Sequence, residues 1–259
     1  MTLPRFFAPD ARDGVAPIAL PDDEAHHLRQ VLRLRPGAAV RVFDGAGAEW
    51  EAVVASTSAQ AAQVSLERRV TPVREPDVRV TLGIGVLKGD QMDAVVRDAT
   101  ALGVAAIAPL ATAHVTVPPR AWQRGAAVAR WQRVAVASAK QCGRAVVPSV
   151  NAVARLEDAI ASAGAELIVL AVEPARAQAR GADAPLPRPA SALLLVGPEG
   201  GWGAEEIALA VARGARMMHL GPRTIRAEIA PTVLLSSLWT QWGWGGAPSA
   251  RRERLEARS

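Results

Sequence analysis

Two glycine-proline bends hold the residues best suited to chemistry. The first is Leu195-Val196-Gly197-Pro198-Glu199-Gly200-Gly201, an apolar run entering a loop rich in glycine, with a helix-forming stretch from Ala204 onward. Glycines let a backbone turn sharply and approach a ligand closely, and a helix N-terminus leaves its first N–H groups unpaired. The second is Leu220-Gly221-Pro222-Arg223-Thr224-Ile225-Arg226-Ala227-Glu228. It too follows an apolar run and precedes a helix-forming one, so the two loops can share a pocket ringed by Arg223, Arg226 and Glu228. The first loop lacks both the G-x-G-x-x-G spacing of a dinucleotide site and the G-K-[ST] of a phosphate loop. It therefore suits a nucleoside-like ligand that needs no phosphate grip. An ordinary glycine-rich turn and a structural Arg226–Glu228 ion pair are the plainer alternatives.

Further groups stand elsewhere. Gln141-Cys142-Gly143-Arg144 closes a long helical stretch, where basic groups also suit the negative helix end. Cys142 is the single cysteine, so an internal disulfide and a cysteine-rich metal site are excluded. No His/Cys/Asp cluster at ligand spacing accompanies His26-His27, so no metal is expected. With Arg29, Arg33 and Arg35 nearby, it suits phosphate contacts or a solvated helix face. The chain has 259 residues, half of them hydrophobic, a net charge of +5 and two lysines, Lys88 and Lys140. The basic balance favours an anionic polymer such as RNA, although an Arg- and Ala-rich composition also fits a GC-rich genome. No apolar run reaches membrane-spanning length and the N-terminus lacks a secretory pattern. A cytoplasmic protein with no membrane partner is expected.

The elements that must position these groups fall into two textures. Alternating strands at 39–44, 50–55 and 63–70, with a helix over 22–32 capped by Asp22 or Asp23, predict a small barrel. The proline-rich stretch 71–77 marks a boundary. Beyond it, strands at 78–87, 105–110, 166–172, 192–197 and 217–220 alternate with helices at 90–102, 120–140, 156–163, 204–213 and 231–242. That alternation predicts an α/β fold with a mostly parallel sheet covered on both faces. The stretch 173–189 reads as an exposed loop.

In order along the chain, Gln141-Cys142-Gly143-Arg144, the Gly197-Pro198-Glu199-Gly200-Gly201 loop and Leu220-Gly221-Pro222-Arg223-x-x-Arg226-x-Glu228 resemble the ribosomal RNA small-subunit methyltransferase E family. Pro4-Arg5-Phe6-Phe7, His26-His27-x-x-x-Val31-Leu32-Arg33, Lys88-Gly89-Asp90 and Leu102-Gly103-Val104 add to the likeness, which spans nearly the whole chain. The resemblance implies a PUA-like RNA-binding β-barrel over 1–72. It implies a SPOUT-type methyltransferase domain with a trefoil knot over 73–246, and leaves a basic tail at 247–259. It implies S-adenosylmethionine as cofactor, held by residues 195–201 together with Leu220, Gly221, Arg223, Ile225 and Arg226. The reaction would methylate N3 of a uridine in 16S ribosomal RNA, near the decoding site of the small ribosomal subunit, by a homodimer. Arg226, Glu228, Arg144 and Gln141 would be catalytic, and Arg5, His26, Arg29, Arg33 and Lys88 would contact RNA. Alternatives are a non-catalytic RNA-binding assembly factor of the same fold, or a knotted methyltransferase acting on transfer RNA. The chain departs from the family at Lys140, usually acidic, at Ala101, usually glutamate, and at Ala227 and Ile229, usually threonines.

Overall fold

The computed structural model describes residues 3–15, 17–58, 61–122, 125–174 and 186–243. The expected tail at 247–259 and most of the expected loop at 173–189 lie outside them. Two compact units divide the chain: Met1–Arg74 with Val136–Val147, and Glu75–Ala135 with Pro148–Ser259.

The first unit is built on a curled sheet of β1 (Arg5–Phe7), β2 (Ile18–Ala19), β3 (Ala39–Phe43), β4 (Glu49–Thr57) and β5 (Ala62–Val70), in the order β1-β3-β4-β5-β2. Alternation puts Val40, Val42, Trp50, Ala52, Val54 and Val64 into one core with Phe6 and Leu28. The Asp44 carboxylate accepts the amides of Ala46 and Ala48 at 2.8 and 2.9 Å, which closes the β3–β4 turn. Register shifts between Glu51 and Ala52 and between Val54 and Ser56 bend β4 against β5, as bulges do. β1 and β2 are too short for a period-2 signal, and neither was expected.

The helix expected over 22–32 is shorter. α1 (Asp22–His26) passes into a wide π turn at His27–Val31. Neither aspartate caps it: Pro21 takes the cap position, and Asp23 accepts only the neighbouring Glu24 amide at 2.9 Å. The wide turn keeps Leu28 fully buried while Val31 faces out, 61% exposed. Two residues past its end stands Arg33, whose φ of 52° lies in the left-handed region.

In the second unit β6 (Arg79–Gly85), β7 (Ala106–Ala111), β8 (Ser149–Val150), β9 (Ala154–Arg155), β10 (Leu167–Ala171), β11 (Ser191–Val196) and β12 (Arg216–Met218) form one sheet. Its order is β12-β10-β11-β6-β7-β8, with β9 also on β7, and every pairing is parallel. Both faces are covered, so Leu193, Leu194 and Leu195 are all fully buried in succession. Later strands lie on both sides of β6, the arrangement in which ligands bind beyond the carboxyl ends of the strands.

Among the described residues beyond β6, five helices alternate with the strands: α2 (Gln91–Ala101), α3 (Ala126–Cys142), α4 (Leu156–Ala163), α5 (Ala204–Ala212) and α6 (Ala230–Trp242). Met92, Val95, Val96 and Ala99 bury one face of α2, and Trp239 Nε1 of α6 donates to the Leu102 carbonyl at its end, 2.7 Å away. The helix expected from 120 starts instead at Ala126, behind a single 3₁₀ turn at Pro119–Ala121, because two prolines set the backbone there. No helix among the described residues is long and apolar enough to cross a membrane.

Candidate active site

Beyond the carboxyl ends of β10, β11 and β12 lies a cavity of about 420 Å³. Three chain segments build its walls. Residues 171–174 leave β10, residues 196–202 leave β11, and residues 218–228 leave β12 and lead into α6. Gln91 from α2 and Ala230 and Leu234 from α6 complete the lining. The two glycine-proline bends thus open onto one space.

The β11 loop is shaped by what its glycines touch. Trp202 is buried and donates from Nε1 to the Ala171 carbonyl at 2.9 Å. A Cβ on Gly197 would stand 3.3 Å from that indole, so the loop lies flat over the ring. Gly201 has a φ of +69° and faces the Glu173 carboxylate directly, leaving no space for a side chain. From behind, His114 Nδ1 lies 2.9 Å from the Gly200 carbonyl. Glu206 of α5 accepts the Gly203 amide at 2.8 Å with one oxygen and the Ala113 amide at 2.9 Å with the other. One carboxylate therefore caps α5 and ties the loop after β7 to it.

The β12 segment contributes Leu220, Arg223, Ile225, Arg226 and Glu228. Arg226 Nη1 stands 3.8 Å from Glu228 Oε1; the Arg226 side chain is 81% exposed and that of Glu228 18%. The ion pair is long and one-sided, so the guanidinium has donors to spare. Glu199 accepts the Lys88 amide at 3.2 Å and also lines the pocket. Val196, Trp202, Leu220, Ile225 and Leu234 give apolar surface, while Gln91, Glu173, Glu199 and Glu228 give acceptors. Such a site suits a ligand with a flat apolar body, several donors and positive charge. Among the described residues, no group of three or more His, Cys, Asp or Glu side chains is placed to hold a metal.

The structure places several of the expected site residues outside this wall. Leu195 is not in the wall but is fully buried in the sheet beneath it, and Gly200 and Gly221 also fall outside the lining. Gly200 instead packs on His114, where an added Cβ would come within 2.8 Å of the histidine Cβ. Gln141 and Arg144 belong to the first unit and do not line the pocket; Gln141 is exposed and Arg144 is buried.

Arg5, expected on RNA, is turned inward with only 11% of its side chain exposed. It donates to Glu49 at 3.0 Å and to the carbonyls of Ala139, Lys140 and Arg144 at 2.8, 2.9 and 3.0 Å. It closes the carboxyl end of α3, where carbonyls lack helical partners. His26 and Arg33 stay exposed, as does Lys88, and Arg29 reaches the Ser58 carbonyl at 2.8 Å. Lys140, the charge reversal relative to the resembled family, bonds both Glu24 oxygens at 2.7 Å. Burial pushes the Glu24 carboxyl above its ordinary value, against the opposing pull of Lys140.

Gln91, Glu173, Trp202, His219 and Leu234 line the pocket without having been singled out. Trp202, inside the glycine loop, and His219, next to Leu220, had a local signal; Gln91, Glu173 and Leu234 come from other segments.

A family model described as an RNA methyltransferase domain matches residues 74–239, and one described as an RNA methyltransferase PUA domain matches residues 20–67. The ribosomal RNA small subunit methyltransferase E of Synechocystis sp. is 34% identical over 226 residues, 86% of this chain and 73% of that protein. The protein of the same name from Mycobacterium tuberculosis is 29% identical over 242 residues, 90% of each chain. A crystal structure of ribosomal RNA small subunit methyltransferase E from Neisseria gonorrhoeae, bound to S-adenosyl methionine, aligns with a TM-score of 0.81 and 29% identity. The alignment covers 93% of this chain and 98% of that one.

Proposed function

We propose, from the premise that this chain belongs to the ribosomal RNA small subunit methyltransferase E family, that it transfers a methyl group from S-adenosylmethionine to N3 of a uridine in 16S ribosomal RNA. The observation that carries this reading is the joining of the 196–202 and 218–228 segments around one pocket with apolar walls and an excess of acceptors. The pocket fits the cofactor on two counts: Val196, Trp202, Leu220 and Ile225 give apolar surface for a nucleoside, and the Gln91 side-chain oxygen is enclosed with no hydrogen-bond partner. Val196, Gly197, Pro198, Glu199, Gly201, Leu220, Arg223 and Ile225 are the residues that would hold it. When bound, it supplies a methyl group already activated by the sulfonium charge.

The protein must orient the uracil and ease the loss of its N3 proton. Arg226 donates to a uracil carbonyl and stabilises the negative charge that grows there as the N3 proton passes to the neighbouring Glu228 carboxylate. Glu228 aims the guanidinium from 3.8 Å. Bound RNA would exclude water from the exposed guanidinium, which strengthens both interactions. Exposed Gln141 reaches the RNA, whereas buried Arg144 positions the turn after α3. Residues 1–72 form the RNA-binding barrel, 73–246 the methyltransferase domain with its trefoil knot, and 247–259 a basic tail. The substrate is the assembled small subunit in the cytoplasm, and the working form is a homodimer.

Mass spectrometry of small-subunit RNA from cells with and without this gene tests the reading. A methylated uridine lost on deletion and restored by purified protein plus S-adenosylmethionine is the expected result. An unchanged modification pattern would overturn it.

A further inference from the structure

β6 ends at Gly85, and the chain turns through Lys88 and Gly89 into α2, whose first residue is Gln91. The Gln91 side-chain oxygen lies in the pocket wall, closed off from solvent, and meets no donor. A buried acceptor left unpaired is costly, so an orphan of this kind in a ligand pocket marks where a ligand's donor arrives. Glu199 reaches the same turn, since its carboxylate accepts the Lys88 amide at 3.2 Å and it also lines the pocket. The cationic side chains Arg223 and Arg226 come from the other segment, after β12. One corner of the pocket is therefore rich in acceptors, one of them charged, which calls for a positively charged donor group.

We propose that Gln91, together with Glu199, receives the primary ammonium at the methionyl end of S-adenosylmethionine. This rests on the cofactor reading above and gives that reading a direction. The amino-acid end points to the turn after β6. The apolar walls at Val196, Trp202, Leu220 and Ile225 are left for the nucleoside. Gln91 is then a ligand-binding residue that fixes cofactor orientation. The competing donor is the N3–H of the target uracil, which reaches the site only with RNA.

Calorimetry on the full chain without RNA separates these possibilities, using S-adenosylmethionine and 5′-methylthioadenosine, which keeps the nucleoside and sulfur but lacks the amino-acid end. Gln91→Leu is expected to weaken S-adenosylmethionine binding by about tenfold or more while leaving methylthioadenosine within about twofold. Gln91→Glu, which keeps an acceptor and adds charge, should restore binding. Should Gln91→Leu fail to fold, Gln91→Met replaces it with the same expected split.

Equal losses for both ligands would make Gln91 a nucleoside contact or a structural residue, and would overturn the proposal. Unchanged S-adenosylmethionine affinity would overturn it too. Coupled with lost turnover on small subunits, that result would give Gln91 to the uracil. If the wild-type chain binds methylthioadenosine but not S-adenosylmethionine, the cofactor reading itself fails and the inference falls with it. If only the variants behave like wild type, the inference alone fails.

Discussion

At the scale of single residues, the proposed function gives some groups in the pocket a holding role and others a part in the chemistry. Arg226 is an exposed charged side chain in the wall, paired only loosely with Glu228 at 3.8 Å. Arg226→Ala should lower the methylation rate by about a hundredfold or more, the usual cost of losing one donor to a developing anion. Its cofactor affinity by calorimetry should stay within a few fold, and near-normal turnover would remove Arg226 from the chemistry. Gly201→Val makes the opposite split. Its φ of +69° disfavours any side chain, and the Glu173 carboxylate already fills the space one would need. Cofactor binding should fall below detection, and a normal calorimetric titration would show that the loop can adapt. Legibility in the sequence followed the same division. The glycine-proline bends and Arg226 stood out because backbone geometry and exposed charge leave local marks. Gln91 left none, because its orphaned oxygen exists only once β6 and β11 lie side by side. The inward place of Arg5 left no mark, since a basic residue looks the same in sequence whether it meets phosphate or the carbonyls ending α3.

At the scale of elements, long periodic segments were readable and short or strained ones were not. β11 and α4 lie where apolar runs and helical spacing put them, because burial of whole faces dictates both patterns. β8 and β9 have two residues each and exist only as additions to β7. α1 gives way to a π turn where Leu28 must stay in the core, a demand that average helical spacing does not reveal. The α5 terminus is the element on which the binding loop depends. Glu206→Gln leaves one carbonyl oxygen for the Gly203 amide and turns a donor toward the Ala113 amide. Stability should drop by about 1–2 kcal/mol in urea denaturation, with faster hydrogen exchange confined to residues 197–203. An unshifted midpoint would mean that the two bonds are not maintained in solution. The Glu24–Lys140 pair makes a prediction about pH. Burial holds the Glu24 carboxyl above its ordinary 4.5 in the folded chain. As pH rises past 4.5, the unfolded chain gives up this proton first, so folding must retain a proton that the solution no longer supplies. The contribution is thus fully present below that value and is lost as pH climbs through the folded value. Glu24→Gln, which mimics the protonated form, should melt close to wild type near about pH 4 and gain on it toward about pH 6. A wild-type advantage that grows with pH would reverse the sign and rule this out.

At the scale of the whole molecule, the net charge of +5 does not say which cations face RNA. The structure sorts them by what they touch. Arg5 is bonded on every side and cannot reach a phosphate without abandoning the end of α3. Arg33 is exposed just past the end of the π turn, in a strained left-handed conformation that presents it to solvent. Strain of this kind persists where the surroundings enforce it and often where a function uses it. The two arginines therefore make different predictions under the same charge reversal. Arg33→Glu should leave the melting temperature nearly unchanged and weaken small-subunit binding. The slope of log affinity against log salt should become shallower by about one unit, because a counterion-releasing contact is lost. Arg5→Glu should lower the melting temperature sharply, since a carboxylate would then face Glu49 and three carbonyls that have lost their donor. Binding curves measured across a salt series, with melting curves taken on the same samples, separate the two effects. If Arg5→Glu kept its stability but lost the salt slope, the barrel's RNA contact would run through Arg5 after all. If Arg33→Glu changed neither quantity, the π turn would be a structural feature with no part in gripping RNA.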